Sequence, residues 1–166
     1  MSLVLRPEAL TRESFAPFGD VIEAGGREHF TINQGFAERF NDLAKIDTAS
    51  EGGETAISIV RGAPLPLPIA LKLVERHPLG SQIFFPLQDE DWLIVVADAD
   101  DRPTPQSLRA FRATGRQGIN FARNIWHHPL LMPAAGAEFL IIDRKGPGNN
   151  LEEHWFAPSE QPIIEG

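Results

Sequence analysis

The sequence predicts an all-β domain, a small barrel or sandwich of short strands with a few short helices. Three observations carry this expectation. Short apolar segments recur along the whole chain, each bounded by turn residues. Gly and Pro number 14 each and are spread throughout, which cuts the chain into pieces suited to strands. Helix start signals are few.

Taken in order, Thr11 caps a short helix running through Phe15 and stopped near Pro17 and Gly19. Residues 36–44 are expected to form another helical turn. Candidate strands are Thr55–Arg61, Ile69–Arg76, Ser81–Pro86, Trp92–Ala97, Leu108–Ala113 and Glu138–Asp143. The stretch Gly62-Ala63-Pro64-Leu65-Pro66-Leu67-Pro68 cannot enter a central strand, because alternate residues lack an N–H, and is read as an extended edge or linker. Asp98-Ala99-Asp100-Asp101 reads as a solvated turn. Gly146-Pro147-Gly148-Asn149-Asn150-Leu151 also reads as a turn, since it lacks the third glycine of a dinucleotide loop.

The length of 166 residues suits one domain spanning 1–166. The net charge of −8 and pI near 5.1 argue against nucleic acid as the main partner, since phosphate binding needs a basic surface. A small anion needs only a local cluster of arginines and remains open. With no cysteine, disulfides, thiolate nucleophiles and zinc–cysteine sites are excluded. With no tyrosine, proton chemistry falls to His, Asp, Glu, Lys, Arg or water. The segment Met1–Glu8 lacks the apolar run of a signal peptide, and no stretch approaches the roughly 20 apolar residues of a membrane span. A cytoplasmic protein without a membrane partner is therefore expected.

Two windows concentrate the chemistry. One reads Glu75-Arg76-His77-Pro78-Leu79-Gly80-Ser81-Gln82, the other Arg123-Asn124-Ile125-Trp126-His127-His128-Pro129. Of the five histidines in the chain, His77, His127 and His128 lie here, beside arginines. Imidazole binds metal or moves protons near neutral pH, and arginine clamps carboxylates. Alternation along a strand over 69–77 places Ile69, Leu71, Leu73, Glu75 and His77 on one face, and Ala70, Lys72, Val74 and Arg76 on the other. An apolar stripe ending in a carboxylate and an imidazole suits a barrel mouth, a common ligand site. Gln82 can return to the same place after the Pro78–Gly80 turn, and such nitrogen and oxygen donors suit nickel, manganese, iron or zinc. The bland alternative is a polar strand end in which His77 caps a turn.

In the second window, neighbouring residues on a strand face opposite ways, so only one of His127 and His128 enters a given pocket. The alternative is two surface imidazoles in a loop. Trp126 reads as a packing residue. Asn33 and Arg39, in the polar stretch Asn33–Phe40, can hydrogen-bond a carboxylate or amide, against the alternative of a turn and a solvated helix start. Arg61 and Arg109 are weaker anion clamps, read foremost as surface charges. Arg76 and Arg123 complete the candidate substrate-binding set. Because Arg76 lies opposite His77, a bulge or twist would be needed to bring both into one site.

Several blocks together resemble the ureidoglycolate lyase family. They are Ile32-Asn33-Gln34-Gly35, Glu75 to Gln82, Leu108-Arg109-Ala110-Phe111, Gly118-Ile119-Asn120-Phe121 and Arg123 to Leu130. The resemblance runs from about Phe15 to Arg144. It implies a cupin-like β-barrel (a jelly-roll), usually a homodimer, that splits (S)-ureidoglycolate into glyoxylate and urea in allantoin and purine-nitrogen catabolism. It also implies a divalent metal, nickel in some members, and no organic cofactor. Against the general cupin pattern, Glu75, His77 and Gln82 fall where the first motif has His, His and Glu, and His127 falls on the histidine of the second. Gln34 stands where asparagine is expected, and Phe121 where tyrosine is. His77, His127 and Gln82 are the candidate catalytic residues, and Glu75, His77, Gln82 and His127 the candidate metal set. A cupin that binds or senses a small carboxylate without catalysis, and another metal-dependent cupin enzyme such as an isomerase or oxygenase, are the alternatives.

Overall fold

The structure, a computed structural model, describes residues 3–166; Met1 and Ser2 lie outside the described residues. Its fold is all-β and cupin-like. The strands are β1 (Val4–Leu5), β2 (Glu8–Ala9), β3 (Gly19–Ile22), β4 (Phe30–Ile32), β5 (Ala37–Arg39), β6 (Glu54–Gly62), β7 (Ile69–Ala70) and β8 (Leu73–Arg76). They continue with β9 (Gln82–Pro86), β10 (Trp92–Ala97), β11 (Leu108–Ala113), β12 (Gly118–Phe121), β13 (Ala137–Lys145), β14 (Glu152–Trp155) and β15 (Ile163–Ile164). One short helix, α1 (Arg12–Phe15), starts at Thr11, whose hydroxyl accepts from the Ser14 N–H in a capping box.

Two sheets face each other across the main core. One has the order β3-β12-β9-β13-β6. The other runs β10-β11-β2 and is extended through His127, which bridges Val96 on one side and Glu75 on the other, so that β8 and β14 join its edge. Residues Trp92, Ile94 and Val96 of β10 point into this core, against Phe84, Ile119, Phe121 and Phe139 from the facing sheet. Val95 and Ala97 point the other way, into a second apolar layer with Leu71, Val74, Trp126, Phe156 and Ile164. Both faces of β10 are thus covered, which explains why it reads as an unbroken apolar run.

The expected strands in 55–61, 81–86, 92–97, 108–113 and 138–143 are present: two match, Glu54–Gly62 and Ala137–Lys145 are longer at both ends, and Gln82–Pro86 starts one residue later. Two expectations need correction. Residues 36–44 form no helix: Ala37–Arg39 is β5, paired antiparallel with β4, and a 3₁₀ turn over Asn33–Gly35 joins the two. The segment 69–76 is not one strand. The Leu71 N–H donates to the Pro162 carbonyl, while the Lys72 carbonyl accepts from the Phe156 N–H. The chain therefore changes partner at 71–72, from β15 to β14. The change resets the alternation. Leu71 and Val74 are both fully buried in the same layer, so no single apolar stripe runs from Ile69 to Glu75. From Leu73 onward the expected parity holds: Val74 and Arg76 take one face, Glu75 and His77 the other.

Among the described residues, no helix is long and apolar enough to cross a membrane.

Candidate active site and metal centre

The site is built where two sheets meet. His127 sits in the bridge between β8 and β10, its N–H donating to the Glu75 carbonyl and its carbonyl accepting from the Glu75 N–H. Directly opposed residues share a face, so the Glu75 and His127 side chains lie on the interior side. His77 follows one step beyond β8, and its carbonyl accepts from the Asn124 N–H, which ties the two windows together. From the facing sheet, Phe121 stacks on the His127 ring at 4.1 Å between centroids and 11° between planes.

Glu75 Oε1 lies 3.6 Å from His127 Nε2 and 3.9 Å from His77 Nε2. The three ligand atoms all fall within 4.8 Å of one another, a set able to hold a metal ion. The second nitrogen of each ring is already used. His127 Nδ1 is 2.9 Å from the Ile125 carbonyl, and His77 Nδ1 is 2.8 Å from the Asn150 carbonyl. A carbonyl only accepts, so each Nδ1 carries the proton and each Nε2 turns a lone pair toward Glu75. Both Nε2 atoms are buried without a hydrogen-bond partner. Acceptors that converge with no donor between them repel unless a cation or proton joins them. Backbone carbonyls that fix the ring tautomer are the usual outer shell of a metal-bound histidine. The donor set and its orientation therefore fit a divalent ion.

Burial lowers the pKa of His127, and the Glu75 carboxylate opposes this only in part. Burial also lowers that of His128. Burial pushes Glu75 up, but the His127, His77 and His128 imidazoles around it, which attract the carboxylate once protonated, outweigh it, and its pKa is lowered. The burial of His127, 1% exposed, decides the pair: the ring is neutral at pH 7 and Glu75 carries the charge. A linkage prediction follows for the metal-free chain. The folded state resists protonating His127 while the unfolded chain protonates near 6.5. The contribution to stability is then complete above 6.5 and lost as pH falls below it. Denaturation midpoints at pH 7.5 and 5.5 should show the lower value at 5.5; a higher one contradicts the assignment.

The remaining candidates are placed as follows. Gln82 lies on the interior face with Phe121, its register partner, and donates from Nε2 to Asp143 Oδ2 at 3.1 Å. Arg123 precedes Asn124, whose N–H bonds the His77 carbonyl, so its main chain adjoins the site. It grips Asp47 with two hydrogen bonds of 3.0 and 2.7 Å and reaches Ser50 Oγ at 3.2 Å. Arg76 points away, over the Trp126 ring at 4.5 Å and onto Glu152 at 2.6 Å. Arg61 pairs with Glu138, and Arg109 with Glu8. Asn33 sits in the 3₁₀ turn of the β4–β5 hairpin. Arg39 lines a surface groove of about 1110 Å³ with Phe40, Phe85 and Arg116, to which none of Glu75, His77, Gln82 and His127 contributes. His128 is outside the three-residue cluster. The sequence reading missed the supporting residues Asn150 and Asp143. Asp143 carried a signal, since alternation over Phe139, Ile141 and Asp143 ends a buried stripe on a carboxylate.

A β-barrel of cupin-like form, with an imidazole and carboxylate centre on its inner face, defines the class of this protein. Within that class the chain belongs to the ureidoglycolate lyase family, whose family profile matches residues 2–163. It is 54% identical over 156 residues to ureidoglycolate lyase 1 of Rhizobium meliloti (strain 1021), covering 94% of this chain and 91% of that one. It is 50% identical over 157 residues to ureidoglycolate lyase of Pseudomonas entomophila (strain L48), covering 95% and 93%. For ureidoglycolate lyase of Pseudomonas syringae pv. syringae (strain B728a), identity is 49% over 158 residues, with the same two coverages.

Proposed function

We propose that this protein is a ureidoglycolate lyase that splits (S)-ureidoglycolate into glyoxylate and urea in allantoin and purine-nitrogen catabolism. Beyond family membership, the observation that carries the reading is the convergence of Glu75 Oε1, His77 Nε2 and His127 Nε2 on the barrel's inner face. The substrate carries a carboxylate, a hydroxyl and a ureido nitrogen on one carbon. Cleavage takes the hydroxyl proton, forms C=O from that oxygen, breaks the C–N bond and returns a proton to the departing nitrogen, so no further reactant is needed.

Glu75, His77 and His127 would hold a divalent ion, with nickel as the family-based choice. Held by these residues, such an ion would supply Lewis-acid activation of the substrate hydroxyl. Glu75, the ionised member, accepts the hydroxyl proton and returns it to the urea nitrogen. Arg123, whose neighbour Asn124 bonds the His77 main chain, is the arginine assigned to the substrate carboxylate, exchanging part of its grip on Asp47. Asn33, Arg39, Arg61 and Arg76 would join in substrate binding only after rearrangement, since each is held elsewhere. A metal-free reading has one observation in its favour: His127, kept neutral by burial beside a carboxylate, has the form of a general base.

The products test the reaction. Purified protein should yield glyoxylate and urea in equal amounts with no ammonia; ammonia in place of urea would exclude a lyase. Replacing Arg123 by Ala should raise KM for ureidoglycolate by about 10- to 100-fold, the effect of losing a charged hydrogen bond. An unchanged KM removes Arg123 from the substrate site.

A homodimer and a cytoplasmic location belong to the same reading. The exposed Ile57 and Ile59 on the open edge strand β6 support a second copy as partner.

A further inference from the structure

A polar row crosses the inner face of the five-stranded sheet at the end of its apolar core. Ile141, Phe84 and Ile119 form the neighbouring row, through the pairs Ile141–Phe84 and Phe84–Ile119. One ladder step beyond Ile142–Ile83, Asp143 comes across from Gln82, and Gln82 in turn pairs with Phe121. The row Asp143–Gln82–Phe121 therefore ends against the His127 ring stacked on Phe121.

A carboxylate accepts and does not donate, so Asp143 can bond only the NH₂ end of the Gln82 amide. The 3.1 Å bond from Nε2 to Asp143 Oδ2 thus turns Oε1 away from Asp143. That oxygen is buried and has no hydrogen-bond partner, as are His77 Nε2 and His127 Nε2. A buried polar atom left unpaired costs about 1–3 kcal/mol. Three such acceptors facing the same interior cannot satisfy one another, whereas a cation within reach of all three would.

We propose that Asp143 is a positioning residue that fixes the Gln82 amide with its oxygen toward the Glu75–His77–His127 centre, where that oxygen is a fourth donor to a divalent ion. The inference rests on the metal reading above. It also accounts for an amide at this position. A carboxylate there would meet Asp143 at hydrogen-bond distance, and the two charges would not coexist. An amide oxygen beside imidazole and carboxylate suits a borderline-to-hard ion such as nickel or manganese.

The test is nickel affinity of purified protein, read by competition with a chromophoric chelator, together with thermal unfolding of the metal-free forms. Asp143→Ala should weaken nickel binding by about 10- to 100-fold, the range for removing an outer-shell partner. Gln82→Glu should also weaken it, by setting two carboxylates against each other. Combining Gln82→Glu with Asp143→Asn restores the bond with donor and acceptor exchanged, and should recover affinity relative to Gln82→Glu alone. That recovery is a result general destabilisation would not give. Wild-type affinity in Asp143→Ala, or no recovery in the exchanged pair, overturns the role of Asp143 while leaving the metal centre in place. No nickel binding by the wild type overturns the metal reading and this inference with it.

Discussion

Replacing His127 by Ala is expected to lower turnover of ureidoglycolate by about 10²- to 10⁴-fold, the contribution of a general base, which is its role in the metal-free reading. The same substitution removes one nitrogen donor under the metal reading, so either route ends in a large loss of kcat. Folding should suffer less than catalysis. The ring's Nε2 has no partner in the fold, and its Nδ1 bond is to the Ile125 carbonyl two residues away. His127→Gln is the control, since it refills most of the buried volume and keeps a polar end without an imidazole. Wild-type turnover in His127→Ala would detach this residue from the chemistry.

Phe139→Ala should have the largest effect on stability, about 3–5 kcal/mol. Phe139 is fully buried in β13, a strand that bonds both β9 and β6. Its ring meets Trp92 edge-on, with centroids 4.8 Å apart, and so joins the two facing sheets. Truncation removes that contact and leaves a cavity that a sheet held by ladders on both sides closes poorly. For a chain of this size, each kcal/mol corresponds to about 2–4 °C in Tm. The melting temperature should fall by about 6–20 °C. A drop under 2 °C would mean that the core relaxes around the gap.

Several parts of this site are legible in the sequence because they depend on local parity. Alternation placed Glu75 with His77 and set Arg76 opposite, and the structure shows Arg76 on Trp126 and Glu152. The separation of His127 from His128 follows from the same rule. What local pattern does not carry is the choice of strand partner. The break at 71–72 arises from bonds to Pro162 and Phe156, some ninety residues away along the chain. The hairpin at 30–39 is another case. Phe36, Phe40 and Leu43 have helical spacing, yet backbone pairing with Phe30–Ile32 prevails and leaves Phe36 90% exposed. Asn150 supports His77 through its main-chain carbonyl and the turn after it through its side chain, which accepts from the Leu79 N–H, a pairing across some seventy residues that local pattern does not carry.

The central claim is that Glu75, His77 and His127 form one metal-assisted lyase centre. Urea release from (S)-ureidoglycolate, measured on the same protein as purified, after exhaustive chelation and after reloading with nickel, tests it most directly. The purified protein should release urea, lose at least about tenfold of that activity on chelation, and recover it on reloading. Urea release unchanged by complete metal removal contradicts the metal's part and leaves His127 as the base; no urea in any of the three states contradicts the lyase itself.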